Sequence, residues 1–475
     1  MEDELLLAVE LASKLGAQYS EARFERARFQ NIVVRNGALD AYTEAVDKGV
    51  SIRVLINGSM GFASTNILSR DEITEAVKAA VKDAKNASKL THNPIILSEE
   101  ENHRASWSTE HRIDPEDVPF EEKLQALLDI EKNLRDIKPV KLPVRIVSVT
   151  TSTTEKIYLN SEGTRIRSCV TRTGIGYNII ALAASKGTLQ RRNRMAATVG
   201  WEGIEAWKPW EVAKEEAETL ALILLKGRSP PKGRLDMVLG SEVVGIIVHE
   251  SCGHPSEADR IMGREAAQAG ESYMTSGMLG TRIGSPAVTI IDDPTIPGSY
   301  GFYLYDDEGV KGRPRYLFKK GIVNEFLHNR ETAAVFNTSS NGSARASAYN
   351  REPIVRMANT YMAPGDYGFD ELLEDVKRGV FIKTYMEWNI DDRRWNQRYV
   401  GLEAYTIEKG EVKDPVRNPV LEVTTEVLYK NVDAVDRNLR FYPGTCGKGE
   451  PGQGVPVWFG GPNIRVRNMI LGVAL

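Results

Sequence analysis

The order of apolar and polar positions divides the chain into a first half of alternating helices and strands and a second half dominated by strands. Residues 3–15 carry apolar side chains at helical spacing and stop at Gly16, so a first helix is expected there. From Tyr19 to about Ser64 the period changes to two. Val50, Ile52, Val54 and Ile56 alternate up to Asn57-Gly58, a pair suited to a tight hairpin turn, and Met60 and Phe62 resume the alternation. Ser69-Arg70-Asp71-Glu72 has the form of a capping box. It opens a helix to about Ala87, with Ile73, Val77, Ala80, Val81 and Ala84 on one face. Residues 88–118 show no period and read as an irregular connection, followed by a helix at 119–136. Strands are expected at 142–152, 155–160, 164–172 and 174–185, with turns at Asn160–Gly163 and near Gly174, then a helix at 208–226.

Gly227-Arg228-Ser229-Pro230-Pro231-Lys232-Gly233 is the clearest linker in the chain. At 475 residues the chain exceeds one ordinary core, so two domains are expected, 1–227 and 234–475. The second opens with a strand, Leu235 to Leu239. Val288–Ile291 reads as a buried strand ending at Asp292-Asp293-Pro294, and Tyr303-Leu304-Tyr305 runs into the acidic turn Asp306-Asp307-Glu308-Gly309. That turn lacks the ligand pattern of a calcium loop and reads as a plain turn. A short helix is expected from Phe369 to Lys377 and strands at 380–388, 399–407 and 420–429. The expected class is α+β: a mixed α/β N-terminal domain and a β-rich C-terminal domain.

One stretch breaks the pattern with chemistry. Val243-Val244-Gly245-Ile246-Ile247-Val248 is apolar enough to be buried, and His249-Glu250-Ser251-Cys252-Gly253-His254-Pro255 follows at once. Ser241 sits where a helix would be capped, and Glu242 suits its first turn, so a buried helix is expected from 242 to about 253. Histidines at i and i+4 with a glutamate between them form the familiar zinc-protease pattern. Here the second histidine is at i+5, which on a straight helix lies about 140° from the first. The helix is therefore expected to loosen before His254, by a bulge or by ending. Gly253 tolerates unusual backbone angles, and Pro255 disfavours a helical His254. The expectation is a metal-binding pair, His249 and His254, with Glu250 beside the metal as general base for a water.

A catalytic zinc needs a third protein donor. Cys252 is three residues from His249, Glu257 and Asp259 follow closely, and Cys446 lies in the glycine-rich stretch Tyr442–Gly449. The residues alone leave Cys252 and Cys446 both open. His92, His103 and His111 read as surface residues.

Composition narrows the classes. Lys+Arg 61 against Asp+Glu 65 leaves a net charge of −4, with no footprint for nucleic acid or a membrane surface. The three cysteines are widely spaced, which implies no disulfide framework and fits a reducing compartment. The start, Met1-Glu2-Asp3-Glu4, has no signal pattern, and no apolar run is long enough to span a bilayer. A cytoplasmic protein is expected.

The chain resembles the TldD/PmbA family of metallopeptidases, in its TldD-like, metal-bearing branch. The resemblance runs along nearly the whole length. It is carried by Gly49–Val54 with Gly61-Phe62-Ala63, His249–Asp259, Asp306–Gly309, Arg356–Tyr361, Cys446-Gly447-Lys448-Gly449 and Gln453–Val457. It implies His249, His254 and Cys446 as metal ligands and Glu250 as the base. It also implies a zinc peptidase acting on unfolded or flexible peptides inside a closed dimer, paired with a metal-free TldE/PmbA-like chain or with a second copy. Two imidazoles and a thiolate suit Zn2+ over magnesium or calcium. The rival classes are a binding or assembly protein with a structural metal, and a zinc hydrolase of non-peptide amides. The substrate is expected to bind as an added strand, with Pro353–Tyr361 and the segment 444–461 as candidates.

Overall fold

A computed structural model describes the chain except residues 266–269, 450–451 and 474–475. Its N-terminal half is built on a seven-stranded sheet. The strand order is Ser59–Thr65, Ala38–Ile56, Tyr19–Arg35, Lys141–Asn160, Arg165–Ala183 and Arg104–Ser108, with Gly187–Ala197 also pairing with Arg165–Ala183. Helices Glu2–Lys14 and Arg70–Ala87 bury Leu5, Val9, Ile73 and Val77 with Val50, Ile52 and Val54 of the sheet. Ser69 caps the second helix by accepting from the Glu72 amide, and Asn57 and Gly58 both take positive φ in the hairpin turn. Helices Phe120–Arg135 and Pro209–Lys226 close a second core around Leu127, Ile130, Val147 and Ile179.

Three expectations for this half need correction. The strands at 142–152 and 155–160 are one strand, Lys141–Asn160, because its polar Thr150–Thr154 run is paired on both sides by Tyr19–Arg35 and Arg165–Ala183. There is no turn near Gly174, which lies inside Arg165–Ala183; a Cβ there would meet Ala196 Cβ at 3.0 Å, so the glycine serves close strand approach. The 88–118 connection contains the strand Arg104–Ser108, parallel to Arg165–Ala183, and Gly187–Ala197 is a further strand with no expected counterpart.

The C-terminal half holds two larger sheets. A six-stranded sheet runs Ile322–Val323, Arg315–Lys319, Ile290–Asp292, Asn359–Met362, Gln453–Gly461, Arg440–Lys448. A nine-stranded sheet runs from Tyr385–Ile390 through Asn396–Gly401, Pro419–Thr424, Ile464–Val473, Arg234–Leu239 and Arg378–Ile382 to Ala404–Glu408 and Glu411–Pro415, with Val432–Val435 also pairing with Ile464–Val473. The glycine-rich segment 444–461 is thus largely a β-hairpin. Its glycines let neighbours approach: a Cβ on Gly461 would lie 2.6 Å from Val244 Cγ1. The expected strand at 420–429 ends at Thr424, whose hydroxyl caps the helix Thr425–Lys430.

The acidic turn 306–309 is a plain turn that ties the two halves together. Asp306 accepts from the amides of Glu308, Val310 and Ala344. Asp307 pairs with Lys156 at 2.8 Å, and Glu308 with Arg53 at 2.5 Å. Burial would raise the Asp307 pKa, but Lys156 and Arg23 hold it at about 2.

Candidate metal centre

The strand Arg234–Leu239 leads into the helix Ser241–Val248, whose residues are all buried. Gly245 lets it lie on the Gln453–Gly461 strand; a Cβ there would sit 2.7 Å from Phe459 and 2.9 Å from the Gly460 amide. The helix cap is Gly240, not Ser241, and no side chain caps it. Glu242 does not simply face the helix end; Arg191 grips it with bonds of 2.7 and 2.9 Å.

From His249 to Gly253 the chain makes one wide π turn, closed by the His254 amide on the His249 carbonyl, and a 3-10 turn His254–Ser256 follows. A wide turn brings position i+5 back over position i. The two imidazole rings therefore stand with centroids 4.9 Å apart, and the loosening that the spacing demanded is present. Its local causes differ from those expected. Gly253 has φ −58° and ψ −63°, and His254 has φ −58° and ψ −45°, both ordinary helical values. Gly253 is needed for space, since a Cβ would fall 2.0 Å from Met357 Sδ.

Cys446 arrives from the other end of the chain on the edge strand Arg440–Lys448. Donor atoms of His249, His254 and Cys446 all lie within 4.8 Å of one another, and Cys446 Sγ is 3.4 Å from His254 Nε2. Cys252 is not in this group. It is fully buried in the core, and burial pushes its thiol pKa up. At Cys446 burial also opposes the thiolate, but the charges of His254 and Arg356 bring the pKa down to about 7. Burial lowers the His249 pKa, which favours the neutral, ligating form. His249 Nδ1 is buried with no hydrogen-bond partner among the described residues. Two imidazoles and a thiolate on one point are a fitting donor set for zinc.

The supporting groups were not legible as such. Glu257 accepts from His254 Nδ1 at 2.9 Å, which leaves the Nε2 lone pair facing the site, 3.4 Å from Cys446 Sγ. Arg260 Nε at 2.6 Å and Lys448 Nζ at 3.4 Å compensate the same carboxylate. Burial would raise the Glu257 pKa; Lys448, His254 and Arg260 hold it well below the usual range. Asp259 pairs with Lys448 at 2.6 Å, so both acids are held by cations and neither belongs to the His249, His254 and Cys446 group. The only signals in the sequence are spacings, three residues after His254 and two after Cys446. Glu257→Gln is expected to weaken zinc binding by about 10–100-fold, read by chelator competition, with helicity unchanged by circular dichroism.

The three donors and Glu250 line one wall of a cavity of about 750 Å³. Glu250 is buried and ion-paired with Arg394, which also lines the cavity.

The family's C-terminal, first and central domain profiles, described as those of a PmbA/TldA metallopeptidase, match residues 232–472, 20–84 and 113–225. A metalloprotease of Methanocaldococcus jannaschii is 35% identical over 450 residues, covering 94% of this chain and 95% of that one. The chain belongs to the PmbA/TldD family of metallopeptidases. A zinc metalloprotease TldD homolog of Saccharolobus solfataricus is 27% identical, covering 98% of both chains. The solved TldE of Thermococcus kodakarensis shares the fold, with a TM-score of 0.78, 16% identity, and 99% of this chain and 100% of that one covered. No helix among the described residues is long and apolar enough to cross a membrane.

Proposed function

We propose that this chain is a zinc-dependent peptidase that cleaves unfolded or flexible peptides. The observation that carries the reading is the convergence of His249, His254 and Cys446 beside the Glu250 carboxylate on the wall of one cavity. The two histidines and the cysteine would hold the metal. Zinc, when bound, supplies a Lewis acid that lowers the pKa of a water and polarises a carbonyl. Glu250 takes the water's proton and delivers it to the departing amine. Glu257 keeps His254 in the ligating tautomer.

Three edge strands border the cavity: Gly187–Ala197, Tyr385–Ile390 and Arg440–Lys448. Such edges offer unpaired backbone groups to an extended peptide, which favours substrates without stable structure. The segment 444–461 is favoured over Pro353–Tyr361 for this role, because Thr445 and Gly447 border the cavity. The segment 234–475 carries the chemistry, and 1–227 contributes the Gly187–Ala197 wall. A second copy, or a metal-free chain of the TldE kind, is the proposed partner, in the cytoplasm, where three free cysteines are at home.

The test is incubation of an unstructured protein with the zinc-loaded chain, with and without chelator. Chelator-sensitive fragments support the reading, and a folded, metal-bound but inert protein overturns it in favour of a structural site. Cys446→Ser is expected to lose most of its zinc at concentrations that saturate the parent, read by metal analysis after dialysis. Full occupancy in that variant would transfer the third ligand to another group, with Cys252 the first to examine.

A further inference from the structure

We infer that Arg394 is a positioning residue that fixes the Glu250 carboxylate for proton transfer, an inference that rests on the peptidase reading above. Arg394 sits in the turn between the strands Tyr385–Ile390 and Asn396–Gly401, far in sequence from the metal helix. Its backbone is left-handed, φ 62°, a conformation that a residue with a side chain adopts only when its surroundings impose it.

The surroundings do impose it. The Arg394 amide bonds to the Asp391 carbonyl at 3.0 Å, and its own carbonyl accepts from Thr425 Oγ1 at 3.1 Å. The Asp391 carboxylate takes the amides of Trp395 and Asn396 at 2.7 and 3.1 Å. Trp395 packs edge-on against Tyr273, centroids 5.1 Å apart, and Tyr273 donates to the Ser251 carbonyl at 2.9 Å. The turn is thus fastened to the residue directly after Glu250.

The side chain then makes a choice that a purely structural ion pair does not need. Arginine and carboxylate commonly meet through two parallel bonds. Here one Nη of Arg394 holds only Glu250 Oε2, and Arg394 Nε is buried without a partner among the described residues. Glu250 Oε1 accepts no hydrogen bond from the described residues. One oxygen is pinned while the other is left for the cavity that His249, His254 and Cys446 also line. A carboxylate that must receive a proton and release it within one cycle needs such a fixed, half-free pose.

The experiment compares the parent with Arg394→Met and Arg394→Lys, all zinc-loaded, on a fluorogenic unstructured peptide. It also measures binding of a phosphinic peptide that copies the tetrahedral state. In Arg394→Met, turnover is expected to fall about 100-fold with KM within about threefold and zinc content unchanged. The phosphinic peptide is expected to bind more weakly by a similar factor. Arg394→Lys, which keeps a cation on Oε2, is expected to recover about tenfold of the loss. Turnover and phosphinate affinity in Arg394→Met within threefold of the parent overturn the inference. So does a parallel loss of zinc, fold and KM in both variants. If the parent itself fails to cleave, the peptidase reading falls and takes this assignment with it. Cleavage by the parent with unchanged Arg394→Met overturns this assignment alone.

Discussion

Glu250→Gln is expected to retain zinc and lose turnover by about 10³–10⁴-fold, the upper range for removing a positioned acid–base group. The substitution keeps the size of the side chain and an oxygen for Arg394, so the pocket is preserved. His249, His254 and Cys446 are untouched. What disappears is the ability to accept a proton. Metal analysis alongside single-turnover cleavage separates the two properties. Cleavage at parental rate with zinc in place would move the base to another group. Loss of zinc together with activity would mean that Glu250 supports the metal rather than the proton.

The second large effect lies away from the donors, where the halves of the chain meet. Arg191 of Gly187–Ala197 is buried between Glu242 of the metal helix and Glu216 of Pro209–Lys226. It bonds Glu242 at 2.7 and 2.9 Å and Glu216 at 2.7 and 2.9 Å. Tyr177 and Asn193 donate to Glu216 at 2.5 and 3.0 Å. Burial opposes the Arg191 charge, but Glu242 and Glu216 hold its pKa well above the ordinary value. Arg191→Leu would leave Glu242 buried without its cation, and Glu216 with only neutral donors. The expected loss is about 3–5 kcal/mol, read as a lower urea midpoint. Adding Glu242→Leu is expected to restore a large part of it, because the orphaned charge goes with the arginine. A midpoint unchanged in the single variant would mean that water reaches this pair and that it holds nothing together.

Much of the fold was legible where short-range periodicity decides structure. The helices Glu2–Lys14, Arg70–Ala87, Phe120–Arg135 and Pro209–Lys226 agree with the apolar spacing to within a few residues. Their cores form from one face of each helix, and that face is written in the local order of side chains. Strand boundaries were harder. Thr150–Thr154 and Gly174 look like interruptions until the strands on either side are known, since pairing is a long-range event. The hairpin Arg440–Lys448 with Gln453–Gly461 was not among the expected strands, because its glycines serve contacts with other elements.

The same division holds at the candidate metal centre. His249, Glu250 and His254 are covalent near-neighbours, so their spacing called for a helix that bulges or ends before His254, and the π turn is the form it takes. Which cysteine lies beside the two histidines could not be read that way. Cys252 lies three residues from His249 but is enclosed in the core, whereas Cys446 reaches His254 across 192 positions of sequence because a sheet edge ends beside the helix. Glu257 behind His254, Lys448 behind Glu257 and Arg394 on Glu250 belong to the same kind. Sequence order fixed which local groups could carry the chemistry. Only the packed sheets decided which distant charge meets which, because burial removes water as the alternative partner and leaves each buried ion dependent on its neighbour.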